Sequence, residues 1–237
     1  MLLALACISI VLGAMLQAAT GFGFSLMAAP LTFAALEPAQ AVGLLTLLGT
    51  EVNLLTLGTE RRRPEPLWGS ARLMLAFAAP GAFLGVAVLR ALPASALQVA
   101  VTLGVAGTLL ARRITTAHVP AWLAGVSAGA LTTATTTSGP PLLLHLLGRG
   151  VTPGEVRDTL TVTFLGLAAL GAIALAVTGT PALPELTLTL GLLPAVFAGH
   201  LVGRRGFRRL AAGHSYEPVL TGVLVVAVVA GLVGALT

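Results

Sequence analysis

Ten apolar segments succeed one another along the chain, at roughly 2–18, 24–36, 39–58, 69–89, 94–111, 119–134, 139–148, 155–178, 184–203 and 216–236, with most charges at or between their ends. A bilayer core is about 30 Å thick and is crossed by a helix of ~20 apolar residues. Segments 24–36 and 139–148 are too short to cross, and each follows a break rich in Gly, Thr or Pro. Lipid offers no partner to bare backbone groups, so such segments must be helices. Internal Gly and Pro are more frequent in them than in soluble helices. Composition agrees, with 57% hydrophobic and 9% charged residues, against ~45–50% and ~25% in soluble domains. This chain cannot cover a globule with polar surface. That excludes an ordinary cytosolic enzyme, a disordered protein and a nucleic-acid-binding domain. Cys7 is the single cysteine, which excludes an internal disulfide and a Cys-based metal site. No basic residue precedes the first apolar run, so it is expected to be a retained helix rather than a signal peptide.

The chain repeats itself. Pro80-Gly81-Ala82-Phe83-Leu84-Gly85 matches Pro194-Ala195-Val196-Phe197-Ala198-Gly199 at an offset of 114. At nearly the same offset, Glu37-Pro38-Ala39 matches Thr152-Pro153-Gly154, and the break Thr20 to Gly23 falls opposite Thr136 to Gly139. The expected organisation is two repeats, 1–115 and 116–237, within one integrated transmembrane domain. Each holds a long helix, a break, a short helix and three transmembrane helices. If the long and short helices form a hairpin, three crossings follow and the second half starts on the opposite side. The expected fold class is therefore an all-α polytopic membrane protein of two inverted-topology repeats, a common plan of secondary transporters.

The basic residues fit that parity. All thirteen are Arg, and with Arg61, Arg62 and Arg63 placed inside, twelve fall inside and only Arg90 outside. The Arg clusters then read as solvated topology determinants. Both termini are expected outside the membrane, on the face opposite the arginines.

Corresponding interrupted segments in two inverted halves point to a transporter's binding site. A helix that starts in mid-membrane presents free N–H groups and about half a positive charge. That pair of features binds anions without a cationic side chain. The candidate substrate-binding residues are Gln17, Thr20, Gly21, Phe22, Gly23, Phe24 and Ser25 at the first break. At the second they are Thr136, Thr137, Ser138, Gly139 and Pro140. Pro140 and Pro141 suit a first helical turn, where a missing N–H costs little.

Two further residues are candidates for proton coupling. Glu51 lies inside the third segment, where an ionisable group is expensive and a functional candidate by default. It sits roughly 120° around the helix from the polar stripe Thr46, Thr50 and Asn53. It could alternatively pair with Arg72. His145 can titrate near neutral pH. A lone His in a membrane helix is, however, more often a hydrogen-bonded packing residue, and the same holds for His200. No His, Asp and Glu set has metal-ligand spacing, and no nucleophile triad is evident. No cofactor is expected, and the chain is not expected to be an enzyme.

The Gly21-Phe22-Gly23-Phe24…Pro30 segment, the basic loop Glu60 to Arg63, the Pro80…Phe83…Gly85 motif and the Ser138-Gly139-Pro140-Pro141 segment together resemble the sulfite exporter TauE/SafE family. The resemblance runs from about residue 10 to 235. It implies a permease that moves sulfite, organosulfonates and related sulfur-containing anions, usually outward, with its site at Gly21 to Phe24 and Ser138 to Pro141. The alternatives are an uptake permease for thiosulfate or a small carboxylate, and a non-transporting membrane subunit. The expected partners are a small anionic substrate and the lipid bilayer, with a homodimer left open and nucleic acid excluded.

Overall fold

The computed structural model describes residues 2–60, 63–93, 95–97, 99, 119–147 and 151–212. Nearly all of the segment at 94–111, the whole segment at 216–236, and Arg61, Arg62, Arg112, Arg113 and Arg149 lie outside the described residues.

Eight helices make up the described fold: α1 (Leu2–Thr20), α2 (Phe24–Ala35), α3 (Pro38–Thr59), α4 (Trp68–Ala91), α5 (Ala121–Thr135), α6 (Gly139–Leu146), α7 (Pro153–Val177) and α8 (Leu186–Ala212). Four are long and apolar enough to cross a membrane, namely α3, α4, α7 and Leu186–Gly206 of α8. The matched prolines Pro38 and Pro153 both occupy the first turn of their helices, where φ is already helical and no donor is lost. Thr152 and Glu155 complete a capping box at the start of α7: the Glu155 N–H donates to the Thr152 hydroxyl, and the Thr152 N–H donates to the Glu155 carboxylate.

Small residues set the packing, as expected where lipid removes the hydrophobic drive between helices. Gly81 and Gly85 of α4 lie against the Val126 and Ala130 carbonyls of α5, and Gly125 and Gly129 lie against the Met74 and Ala78 carbonyls of α4. A methyl group at any of the four would collide with backbone. The Thr133 hydroxyl crosses this contact and donates to the Ala82 carbonyl at 2.7 Å. The same device joins α8 to α1, where Gly199 and Gly203 lie against the Val11 and Met15 carbonyls. In both contacts the residue numbers rise together, so α4 runs parallel to α5 and α8 parallel to α1.

The other contacts extend these directions. Gly43 lies against Ala182 and Thr59 against His200, so α3 runs parallel to α8. The Leu67 N–H donates to Thr159 and Arg90 to the Thr178 carbonyl, so α4 runs parallel to α7. The end of α3, at Glu60, meets the start of α7, at Arg157. Helices α1, α3 and α8 therefore point one way, and α4, α5 and α7 the other.

Both short helices fold back on the long ones before them. The Gln17 side chain of α1 accepts from the Phe24 N–H at the start of α2. In α6, His145 Nδ1 lies 2.8 Å from the carbonyl of Val119, just before α5 begins. The first break is held from both sides: Phe22 is buried among Met74, Leu142 and Leu160, and Phe24 among Leu44, Leu45 and Leu48. Large apolar side chains such as Leu54, Leu84, Ile173 and Leu190 point outward, where lipid would cover them.

Candidate functional site

The two breaks meet at one cavity. It has a volume of about 60 Å³. At ~10–15 Å³ for each water, that accommodates roughly four to six waters or one small oxyanion. The start of α2 forms one wall and the start of α6 another, with α3 and α7 closing the sides.

The first break is built by two left-handed glycines, Gly21 at φ 90° and Gly23 at φ 108°. Residues with a Cβ adopt that conformation only under strain. Gly21 ends α1 with its N–H on the Gln17 carbonyl, and Gly23 starts α2. In α2, Phe24 N–H is taken by Gln17 and Met27 N–H by the Gly23 carbonyl. The first-turn N–H groups of Ser25 and Leu26 have no intrahelical partner. The second break turns at Thr136, whose φ of 61° is left-handed in a non-glycine residue. Its hydroxyl donates to the Thr135 carbonyl at 2.6 Å. Ser138 caps α6 but forms no side-chain bond to the helix. Pro140 and Pro141 carry no N–H, so Gly139 is the one backbone donor in the opening of α6. The two helix starts are thus unequal as anion sites, with α2 offering more backbone donors.

Of the residues expected at the site, Gln17, Gly23, Phe24, Ser25, Thr136, Ser138 and Gly139 line the cavity. Thr20, Gly21, Phe22, Thr137 and Pro140 lie behind it. The Thr20 hydroxyl is within donating distance of the Leu16 and Phe22 carbonyls, at 2.9 and 2.8 Å. Thr137 pairs its hydroxyl with Thr135 at 2.8 Å. Phe22 packs where a Cβ on Gly139 would come within 3.1 Å of its ring. These five shape the breaks rather than face the space between them.

Helix α3 supplies Thr46, Gly49, Thr50 and Asn53 to the wall. The stripe at helical spacing was their sign in the sequence. Thr132 joins from α5, and Phe164, Leu167 and Ala168 from α7. That α7 wall is apolar and carried no sequence pattern to mark it. Asn53 accepts from Gln17 Nε2 at 2.9 Å, which ties α1 to α3 across the cavity. The Thr50 and Thr132 hydroxyls already donate to carbonyls four residues back. Donors left for a solute among the described residues include the hydroxyls of Ser25, Thr46 and Ser138, the Asn53 side-chain NH2 and the helix-start N–H groups. Among the described residues no charged side chain lines the cavity.

The coupling candidates lie elsewhere. Glu51 does not line the cavity, and one of its carboxylate oxygens is buried with no hydrogen-bond partner among the described residues. It is not paired with Arg72, whose guanidinium sits 5.8 Å from the Trp68 ring centroid. His145 is buried, with its second ring nitrogen 3.2 Å from the Ser70 hydroxyl. It joins the starts of α4 and α5 to α6. Among the described residues no three His, Cys, Asp or Glu side chains are grouped to hold a metal ion.

One expectation is overturned. Arg157 is not a solvated topology determinant but has a fully buried side chain, ion-paired with Glu60. The sequence placed it four residues into α7 and gave no sign of its partner, which lies 97 residues away. A buried charge is expensive unless paired, and Glu60 at the end of α3 supplies that pairing. His200 of α8 is also fully buried, beside Thr59 at 3.0 Å.

No curated protein and no solved structure matches the chain at a significant level. A family does, and it covers the breaks, the glycine contacts and the Glu60–Arg157 pair alike. Multiple membrane-spanning helices and a match across residues 5–234 of 237 place this chain in the sulfite exporter TauE/SafE family, membrane transporters of sulfur-containing anions.

Proposed function

We propose that this protein is a secondary transporter that carries a small sulfur-containing anion, such as sulfite or an organosulfonate, outward across the inner membrane. The substrate binds between the starts of α2 and α6. The observation that carries this reading is their convergence on one cavity lined by hydroxyls and, among the described residues, by no acidic side chain. Helix starts favour negative charge there, and an acidic wall would oppose it.

The two halves are inverted repeats that alternate access to the cavity. Helix directions support this: α1, α3 and α4 correspond to α5, α7 and α8, and each corresponding pair points in opposite senses. The two glycine contacts, α4 with α5 and α8 with α1, exchange under the same correspondence. The termini lie outside. Glu51 is the first candidate for proton coupling, because a carboxyl oxygen without a partner inside a membrane helix can be held neutral by taking up a proton.

The test is binding to the purified protein of sulfite, thiosulfate, sulfoacetate and acetate at fixed ionic strength, followed by flux into liposomes. A ligand that binds only the folded state raises stability by RT ln(1 + [L]/Kd). A selective thermal shift with one sulfur oxyanion, together with flux of that anion, is the expected result. A shift with acetate alone would make the protein a carboxylate permease. No shift and no flux with any of them would refute the proposal.

A further inference from the structure

We infer that Arg157 forms a second anion station, beside the central cavity, in which the Glu60 carboxylate holds the place of the travelling anion. This rests on the anion-transport reading.

The station lies on one side of the cavity only. Asn53 of the cavity wall and Glu60 are seven residues apart at the end of α3, roughly 10 Å at 1.5 Å per residue. Phe164 and Arg157 are separated by the same number of residues on α7. Both walls of the cavity therefore continue into the pair. The first break rests on it as well: a Cβ on Gly21 would come within 3.0–3.2 Å of the Arg157 Cα, Cβ and Cγ. The segment that shapes the cavity is thus seated directly on the Arg157 stem.

The chemistry of the group is that of an oxyanion site. A guanidinium binds oxyanions through paired N–H donors, and carboxylate is one such partner. Arg157 is fully buried, whereas the Glu60 side chain retains 15% exposure. The carboxylate therefore has a route to water that the guanidinium lacks. When Glu60 turns out, an arriving anion takes over its pairing and no bare buried charge is left. His200 lies within electrostatic range of Arg157, Glu60 and Arg204. Its Nε2 lies beside the Thr59 hydroxyl, and its buried Nδ1 has no hydrogen-bond partner among the described residues. The Thr59 hydroxyl donates to the Leu55 carbonyl and so accepts from Nε2–H, which leaves Nδ1 of the neutral imidazole as an acceptor; His200 borders the pair and supplies no donor to an anion. The exchange is a substitution of one anion for another at Arg157, and it gives the substrate a cationic stop that the described residues of the cavity do not provide.

The experiment measures sulfite binding by calorimetry on the full-length protein in detergent. Wild type is compared with Ser138→Asp, which places a negative charge in the central cavity. In that Ser138→Asp background the station is read alone. Adding Glu60→Gln removes the resident competitor, and sulfite affinity is expected to rise about tenfold, ~1.4 kcal/mol. Adding Arg157→Gln is expected to abolish the remaining binding. Arg157→Lys keeps the charge without the fork and is expected to fall between. The Glu60→Gln/Arg157→Gln double variant removes both members of the ion pair together, so it serves as the folded control, and it is expected not to bind. If Glu60→Gln and Arg157→Gln both weaken binding, the pair is a structural staple and the station is refuted, while transport by the central cavity stands. If the Ser138→Asp protein binds no sulfite with or without Glu60→Gln, the station is also refuted. If wild type itself binds no sulfite, the underlying anion reading fails first.

Discussion

Replacing Ser138 by Asp tests the central cavity with little risk to the fold. Ser138 caps α6, is 5% exposed and lines the cavity without bonding its own helix. Asp is as good an N-cap as Ser, and a helix start favours its carboxylate form. The substitution therefore leaves α6 as stable as before or more so, and it fixes a negative charge on the cavity wall. A sphere of about 60 Å³ has a radius of about 2.4 Å, and van der Waals contact adds roughly 3 Å. A monoanion in the cavity then sits about 5 Å from the new charge. At an effective dielectric constant of ~20 the repulsion is about 3 kcal/mol, which weakens Kd roughly a hundredfold. Ser138→Ala removes one neutral donor, ~1 kcal/mol or roughly fivefold. Ser138→Asn keeps a neutral cap and is expected within a few-fold of wild type. Calorimetric titration with the anion that wild type binds, run beside thermal unfolding, separates affinity from stability. Unchanged affinity in a folded Ser138→Asp protein would refute the placement of the anion between α2 and α6.

Further substitutions test the breaks, the helix contacts, the topology and the coupling candidate separately. Gly23→Ala forces a Cβ into a φ of 108°, at about 1–2 kcal/mol; thermal unfolding is expected to show that loss together with weaker anion binding. Gly85→Val and Gly199→Val each drive a side chain into a partner backbone and are expected to abolish monodisperse protein on size exclusion. Gly69→Ala meets nothing within 4 Å and is expected to leave stability unchanged or raise it by up to ~1 kcal/mol. In a protein freed of Cys7, a cysteine at Thr180 is expected to react with an impermeant reagent from outside and one at Glu65 only from inside; the reverse pattern would overturn the topology. Glu51→Gln is expected to abolish proton-driven flux in liposomes while keeping anion exchange, and full gradient-driven flux in that variant would remove Glu51 from the coupling role.

Sequence reasoning reached the helices and the breaks because both are dictated locally. An apolar run of sufficient length has one outcome in lipid, and a Gly-Phe-Gly run followed by a short apolar stretch announces a helix that cannot cross. The stripe Thr46, Thr50 and Asn53 was readable for the same reason, since helical periodicity alone puts those side chains on one face. Its role was legible only once Gln17 was seen to reach Asn53 from α1. His145 could be recognised as a packing histidine or a titrating one, but the choice depends on Ser70 and Val119, 75 and 26 residues distant.

Arg157 shows where a rule of distribution stops. The positive-inside rule counts arginines by side and treats each as equivalent. The count is served equally by a side chain in water and by one in the protein interior, because either lies on the same side of the membrane. Burial is decided instead by whether a carboxylate from another helix arrives at the same depth. Here Glu60 closes α3 where α7 opens, and the antiparallel arrangement of the two brings the charges together. One residue pair then has two consequences. It supplies a positive charge to the side bias, and it puts that charge in contact with the break that shapes the cavity. An arginine retained only for topology would have no reason to be enclosed, since the surface satisfies the rule at no desolvation cost. Its enclosure beside Gly21 is what ties the charge at the end of α3 to the break that shapes the cavity.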